Sequence, residues 1–184
     1  MALPVMRIIA GMAKGRRLVG PSGTGTRPMT DRAREALFSS LGERVHGARV
    51  FDLYAGSGSI GLEALSRGAA SVVFVEKARP ALTALRRNID SVALGGIVSA
   101  LDVERFLEGT LVDADLAFVD PPYALSLASV ETVLTKLAAR LSTGADVVIH
   151  RRVGERPPTV VGLALHDRHR YGDTVLWRMR KEEA

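Results

Sequence analysis

The sequence predicts an α/β fold: a mostly parallel sheet with helices on both faces, an antiparallel C-terminal hairpin, and a small basic N-terminal extension of hairpin and helix. Three observations predict it. From residue 49 onward, short apolar runs alternate with segments whose apolar residues recur every three or four positions, the pattern of repeated β–α units. Four predicted strand ends carry a carboxylate: Asp52, Glu76, Asp102 and Asp120. Charge is also unevenly placed. Residues 1–49 hold nine Lys or Arg against Asp31, Glu35 and Glu43, a net of +6, whereas the remainder holds 16 against 17, a net of −1. That is the footprint of a phosphate-facing extension on a near-neutral domain.

At 184 residues and 47% hydrophobic content, the chain can bury a real core. We divide it into a basic extension over 1–45 and a second domain over 46–184. No run approaches the ~20 apolar residues of a membrane span, and no signal-peptide pattern opens the chain. The absence of cysteine excludes disulfides and thiol chemistry. Together these predict a cytoplasmic protein with no membrane partner, with monomer as the default state. His46, His150, His166 and His169 show no metal-ligand spacing, so no metal is expected.

In chain order, Arg7 to Gly11 and Arg16 to Val19 read as two short strands, followed by a Gly-rich turn over residues 20–25. A helix follows Pro28, capped by Thr30 or Asp31, with Ala33, Leu37 and Leu41 on one face and Arg32, Arg34 and Glu35 left for solvent or a ligand. Val50 to Leu53 is a strand, and Gly56, Gly58 and Gly61 turn the chain into a helix ending near Ser66. Ser71 to Val75 is a strand, Pro80 to Val92 a helix that leaves Asn88 facing solvent, Ile97 to Leu101 a weak strand, and Val103 to Leu107 a short helix. Leu116 to Val119 is a strand, Val130 to Leu141 a helix, and Ala145 to Ile149 a strand. Leu163 to Arg170 and Thr174 to Arg180 form the closing hairpin, packed by Tyr171 and Trp177 with His166 and His169 on its surface.

The chemistry is expected at the carboxyl ends of the strands, where ligands bind in such sheets. Asp120-Pro121-Pro122-Tyr123 stops its strand with two prolines, which cannot continue a ladder. The stiff loop holds one carboxylate beside one aromatic face. An amine-bearing ring can stack on Tyr123 while its NH2 bonds to Asp120 and a backbone carbonyl. Upstream, Gly56-x-Gly58-x-x-Gly61 permits close backbone approach to a ligand, with Tyr54, Ala55 and Ser57 in the same loop. Glu76, 20 residues after Gly56, can accept from two ribose hydroxyls. Asp102, followed by Val103, can accept from an adenine amino group. The glycine spacing also matches a dinucleotide fingerprint. Asp52, however, favours an ammonium over a pyrophosphate, and the Asp120 loop has no role in hydride transfer. S-adenosylmethionine fits both features, with S-adenosylhomocysteine as product.

Asp52-Leu53-Tyr54-Ala55-Gly56-Ser57-Gly58 together with Asp120-Pro121-Pro122-Tyr123 resembles the Rossmann-like class I S-adenosylmethionine methyltransferases that act on exocyclic amines of nucleobases. Residues Met6 to Gly11, Lys14 to Leu18, Arg27 to Phe38, Leu62 to Ala69 and Tyr171 to Thr174 are similar to the bacterial 16S rRNA guanine-N2 methyltransferases of the RsmD type. The resemblance spans nearly the whole chain. It implies methyl transfer to guanine N2 in 16S rRNA, within the small subunit or its assembly intermediate. Asp120 and the Pro121 carbonyl would hold the amine and Tyr123 the base. Arg7, Lys14, Arg16, Arg17 and Arg27 would then grip RNA, while Arg32 and Arg34 would face RNA or cofactor. Two departures stand out: Ala78 replaces an acidic residue, and a late strand ends Ile149-His150-Arg151-Arg152 rather than on Glu, so no catalytic role is expected there. The residues alone leave open another base amine such as adenine N6, a non-catalytic RNA-binding assembly factor, and an NAD-dependent oxidoreductase.

Overall fold

The computed structural model describes residues 6–21 and 29–183; Arg27, Pro28 and most of the expected Gly-rich turn lie outside them. Seven strands form one sheet: β1 (Arg49–Leu53), β2 (Ser71–Val75), β3 (Ile97–Ser99), β4 (Ala114–Val119), β5 (Leu141–Arg152), β6 (Leu163–Tyr171) and β7 (Thr174–Lys181). Their order is β3-β2-β1-β4-β5-β7-β6. The first five run parallel, and β7 pairs antiparallel with β5 and β6, giving the Rossmann-like sheet with its C-terminal hairpin. Strand order reverses between β1 and β4, so a crevice opens at their carboxyl ends.

Five helices, α1 (Asp31–Leu41), α2 (Ser59–Ser66), α3 (Arg79–Val92), α4 (Val103–Gly109) and α5 (Leu127–Ala138), accompany the sheet. Their starts follow local chemistry. The Thr30 hydroxyl accepts from Ala33 N–H, Asp102 from Glu104 N–H and Ser126 from Ser129 N–H, and Pro80 stands in the first turn of α3. Two apolar clusters lie against the sheet. One joins α1, α2 and α3 through Phe38, Leu62, Phe74 and Leu85; the other joins α4 and α5 through Phe106, Val133, Leu134 and Leu137.

The N-terminal segment departs from the expected strand pair. Arg7 and Arg17 make a single antiparallel bridge. Ile8 N–H bonds to Arg16 O and Leu18 N–H to Met6 O within the segment, and four further donors turn to α2: Ile9 and Ala10 N–H bond to the Glu63 carboxylate at 2.8 and 3.0 Å, Met12 N–H to Ser66 O, and Ala13 N–H to Ser66 Oγ. Backbone donors need partners, and a helix side offering a buried carboxylate supplies those that the short bridge leaves over. Ile8, Ala13 and Leu18 enter the same cluster as α1 and the sheet residues Val50 and Phe118.

Two elements near the middle shift from expectation. Leu141 begins β5, paired with Ala114, instead of ending α5. An apolar residue four positions after Leu137 fits the next helical turn and the start of a buried strand equally well. Asn88 is buried rather than solvent-facing: its amide bonds both ways to Val19 and donates to Ser57 O at 2.9 Å. It ties the N-terminal segment and the glycine loop to α3.

Candidate functional site

A cleft of 1330 Å³ opens over the carboxyl ends of β1, β2 and β4. Ordinary small-molecule sites occupy about 300–1,000 Å³, so this one has room for two ligands side by side. Its walls include Asp52, Tyr54, Ala55, Gly56, Ser57, Glu76, Asp102 and Val103 on one side and Asp120 to Tyr123 on the other. The expected candidates from separate strand ends are therefore brought into one crevice.

The glycine loop is tightly held. Tyr54 leaves β1 with a φ of 62°, a left-handed conformation unusual for a bulky residue and characteristic of functional turns. A Cβ on Gly61 would collide with the Phe74 ring and the Asp52 carboxylate, so only glycine lets α2 sit this close to β1 and β2. Asp52 is buried, and its Oδ2 accepts from Gly61 N–H at 2.9 Å. Burial pushes its carboxyl well above the usual carboxylate range despite that bond, and the charges of Asp120 and Glu76 push the same way. The expected ammonium acceptor is thus also the clasp that fixes the loop to its helix.

Glu76 accepts from Gly56 N–H at 2.9 Å and from Lys77 and Ala78 N–H at 2.8 Å each, so its carboxylate is preset at the cleft wall. Asp102 caps α4 and takes Lys77 Nζ at 2.6 Å; the lysine bond holds its carboxyl below the ordinary value. Burial, followed by the charges of Asp102 and Glu104, pushes the Tyr54 hydroxyl up to about 12.

The acceptor side is built on β4 and β5. Asp120 N–H bonds to Leu53 O at 3.3 Å, placing its loop beside the glycine loop. Tyr123 is partly exposed, with the Arg152 guanidinium 4.5 Å over its ring. Arg151 is nearly fully buried and donates to Leu125 O at 2.8 Å and Pro122 O at 3.5 Å, while Glu155 braces it with two further bonds. The late strand end, where no catalytic role is expected, forms the floor of this loop. His150 Nδ1 lies 2.7 Å from Asp120 Oδ1. The signal was an apolar strand ending on three polar residues in a row, which periodicity alone does not explain.

The basic candidates separate. Arg34 is fully buried, donating to Arg7 O and Asp31, with its Nε 3.9 Å from Glu63. It is a structural cation, and burial lowers its affinity for its proton even against Asp31 and Glu63. Arg32 is exposed and lines the cleft. Arg7, Lys14, Arg16 and Arg17 are exposed, with Arg7 Nε 3.8 Å from Asp31. Lys14 sits near Ser66, the α2 end farthest from the glycine loop. Tyr171, placed in hairpin packing, stacks on His169 and also lines the cleft, as do Arg170 and Asp173. Trp177 is buried in the hairpin. Among the described residues no group of three His, Cys, Asp or Glu could hold a metal ion, and no helix is long and apolar enough to cross a membrane.

The chain is 35% identical over 175 residues to YlbH of Bacillus subtilis (strain 168), covering 92% of this chain and 95% of that one. It is 34% identical over 181 residues to Ribosomal RNA small subunit methyltransferase D of Escherichia coli (strain K12), covering 97% and 91%. The solved structure of yhhF from Escherichia coli superposes with a TM-score of 0.85 at 33% identity, over 96% of this chain and 97% of that one. Residues 6–180 match the family described as Conserved hypothetical protein 95, and the chain belongs to that family.

Proposed function

We propose that the protein transfers a methyl group from S-adenosylmethionine to the exocyclic N2 amine of a guanine in 16S rRNA of the small ribosomal subunit or its assembly intermediate. The observation that carries this reading is the Asp120–Tyr123 loop facing Glu76, Asp102 and the glycine loop across one cleft. The relative named Ribosomal RNA small subunit methyltransferase D supports it.

The donor set fits the cofactor. Three carboxylates at adjacent strand ends suit hydroxyls, an amino group and an ammonium rather than a pyrophosphate. Glu76 would hold the ribose, Asp102 and Val103 the adenine, and Asp52 with Tyr54 to Gly58 the amino-acid end. When bound, S-adenosylmethionine would supply an electrophilic methyl whose bond to sulfur breaks, its electron pair staying on sulfur, as the new C–N bond forms, and the proton lost by the amine would pass to the Asp120 carboxylate that holds it. Asp120 and the Pro121 carbonyl accept the two amine N–H groups, which aims the nitrogen lone pair away from the ring. Tyr123 receives the unstacked base. Catalysis is then mainly positioning and electrostatics. In this reading Arg7, Arg16, Arg17, Arg32 and Arg152 meet RNA phosphates, and the chain acts as a monomer.

The test is transfer of labelled methyl to small subunits lacking their native methylations, beside naked rRNA and duplex DNA. Label on one rRNA guanine is expected, and D120A should lose it at least about 100-fold while cofactor affinity stays within about twofold. Label confined to DNA would move the acceptor to adenine. Cofactor binding with no label anywhere would favour a binding-only assembly factor.

A further inference from the structure

His150 stands beside Asp120 because β4 and β5 run parallel with Val119 paired to Ile149, so the next residue of each strand meets at the cleft. Its side chain is 7% exposed, against 31% for Asp120, and its Nδ1 lies 2.7 Å from Asp120 Oδ1. A carboxylate can only accept, so the contact calls for a proton on Nδ1, and in the neutral imidazole the lone pair is then on Nε2. Among the described residues no other side chain bonds to the Asp120 carboxylate, which leaves Oδ2 for a ligand.

We propose that His150 is a positioning residue for Asp120, fixing Oδ1 so that Oδ2 points at the acceptor amine, and that protonation of its free Nε2 switches this arrangement off. The inference rests on the proposed amine-methylating activity. Neutral imidazole orients the carboxylate while leaving its charge available to the amine. Imidazolium converts the contact into an ion pair, drawing the charge toward the histidine and weakening Oδ2 as an acceptor. The ionisable surroundings are Asp120 and Tyr123 on the β4 loop, Asp52 on β1, Arg151 and Arg152 on β5 itself, and Asp173 at the hairpin turn. Arg32 of α1 and Arg170 of β6 reach the same cleft. On β7 the residue paired with His150 is Leu176, which carries no charge.

The experiment measures kcat from pH 5.5 to 8.5 on undermethylated small subunits for wild type, H150N and H150F, with nitrogen-15 spectra of the histidines in the free protein. Asparagine places an amide N–H where Nδ1–H stands and does not titrate. Wild type should show an acid limb in kcat. H150F should lose about 30-fold or more in kcat with unchanged affinity for S-adenosylhomocysteine. H150N should recover to within about fivefold of wild type and lose the acid limb. The spectra should show the Nδ1–H form in wild type and a shift to Nε2–H in D120A. An active wild type with an equally fast H150F, or an acid limb persisting in H150N, overturns the inference alone. A wild type that labels no RNA overturns the proposed function instead, and the histidine spectra then decide whether the Asp120–His150 pair exists.

Discussion

Asp52 and Asp120 are carboxylates at the ends of adjacent parallel strands, and burial gives them different work. Asp52 is buried and clasps Gly61 N–H, whereas Asp120 keeps part of its side chain in the cleft with one oxygen held by His150. Tyr123, next to them, presents a ring already covered on one side by Arg152. A stacked base is worth about 1–3 kcal/mol at such a ring. Tyr123→Ala should therefore slow transfer by roughly 5- to 150-fold. Tyr123→Phe, which keeps the ring and loses only the hydroxyl, should stay within about threefold. Single-turnover rates at saturating cofactor distinguish them, and an equal loss in both variants would assign the effect to the hydroxyl.

At the scale of elements, the stiffness of the acceptor loop comes from two sources. Pro121 and Pro122 fix local dihedrals, and Arg151 on β5 ties the Pro122 and Leu125 carbonyls to the sheet. Arg151→Met removes those donors while roughly preserving the apolar length of the side chain. Pro122 O keeps its bond from Leu125 N–H, but the Leu125 carbonyl and Glu155 are left without their partner, at a cost of about 2–3 kcal/mol. Thermal denaturation should show the lower stability, and kcat should fall more than cofactor affinity because Arg151 supports only the acceptor side of the cleft. A cofactor affinity that falls in step with kcat would mean that β5 supports the whole crevice.

At the scale of the molecule, two charge networks join distant parts of the chain. Glu63 gathers Arg34, Arg67 and the backbone of Ile9 and Ala10, docking the N-terminal segment on α2. Asp146 gathers Arg44, Arg178 and Arg180, and Arg178 also donates to Ser40 O, joining the hairpin to α1. Burial alone would raise the Asp146 carboxyl, but the bond and charge of Arg178, then Arg180 and Arg44, hold it below its ordinary value. The unfolded chain therefore takes up this proton first as pH falls. The contribution of Asp146 to stability is complete above the ordinary carboxylate pKa of about 4 and is lost as pH drops through the depressed folded value. The melting temperature of D146N should accordingly lie below that of wild type at pH 6, with the gap narrowing by pH 3. The exposed arginines make a different prediction. Replacing Arg16 and Arg17 together with Ala should weaken RNA binding and flatten its logarithmic salt dependence by about one to two units of slope. An unchanged slope would place these residues off the RNA path.

Alternating apolar periods, capping residues and the paired prolines of the Asp120 loop are local signals, so the sequence alone determined the order of strands and helices, the Rossmann-like class and the strand-end candidates. What the chain does with each polar side chain was decided by tertiary structure. Arg34 and Asn88 lie on helices whose spacing marks them for solvent, yet one answers the buried Glu63 and the other the backbone of Val19 and Ser57. His150 and Asp120, 30 residues apart, meet only through the register of β4 against β5. Periodicity reports which side of an element faces the core. It does not report which buried donor will find which acceptor, because that partner comes from elsewhere in the chain and only packing brings the two together.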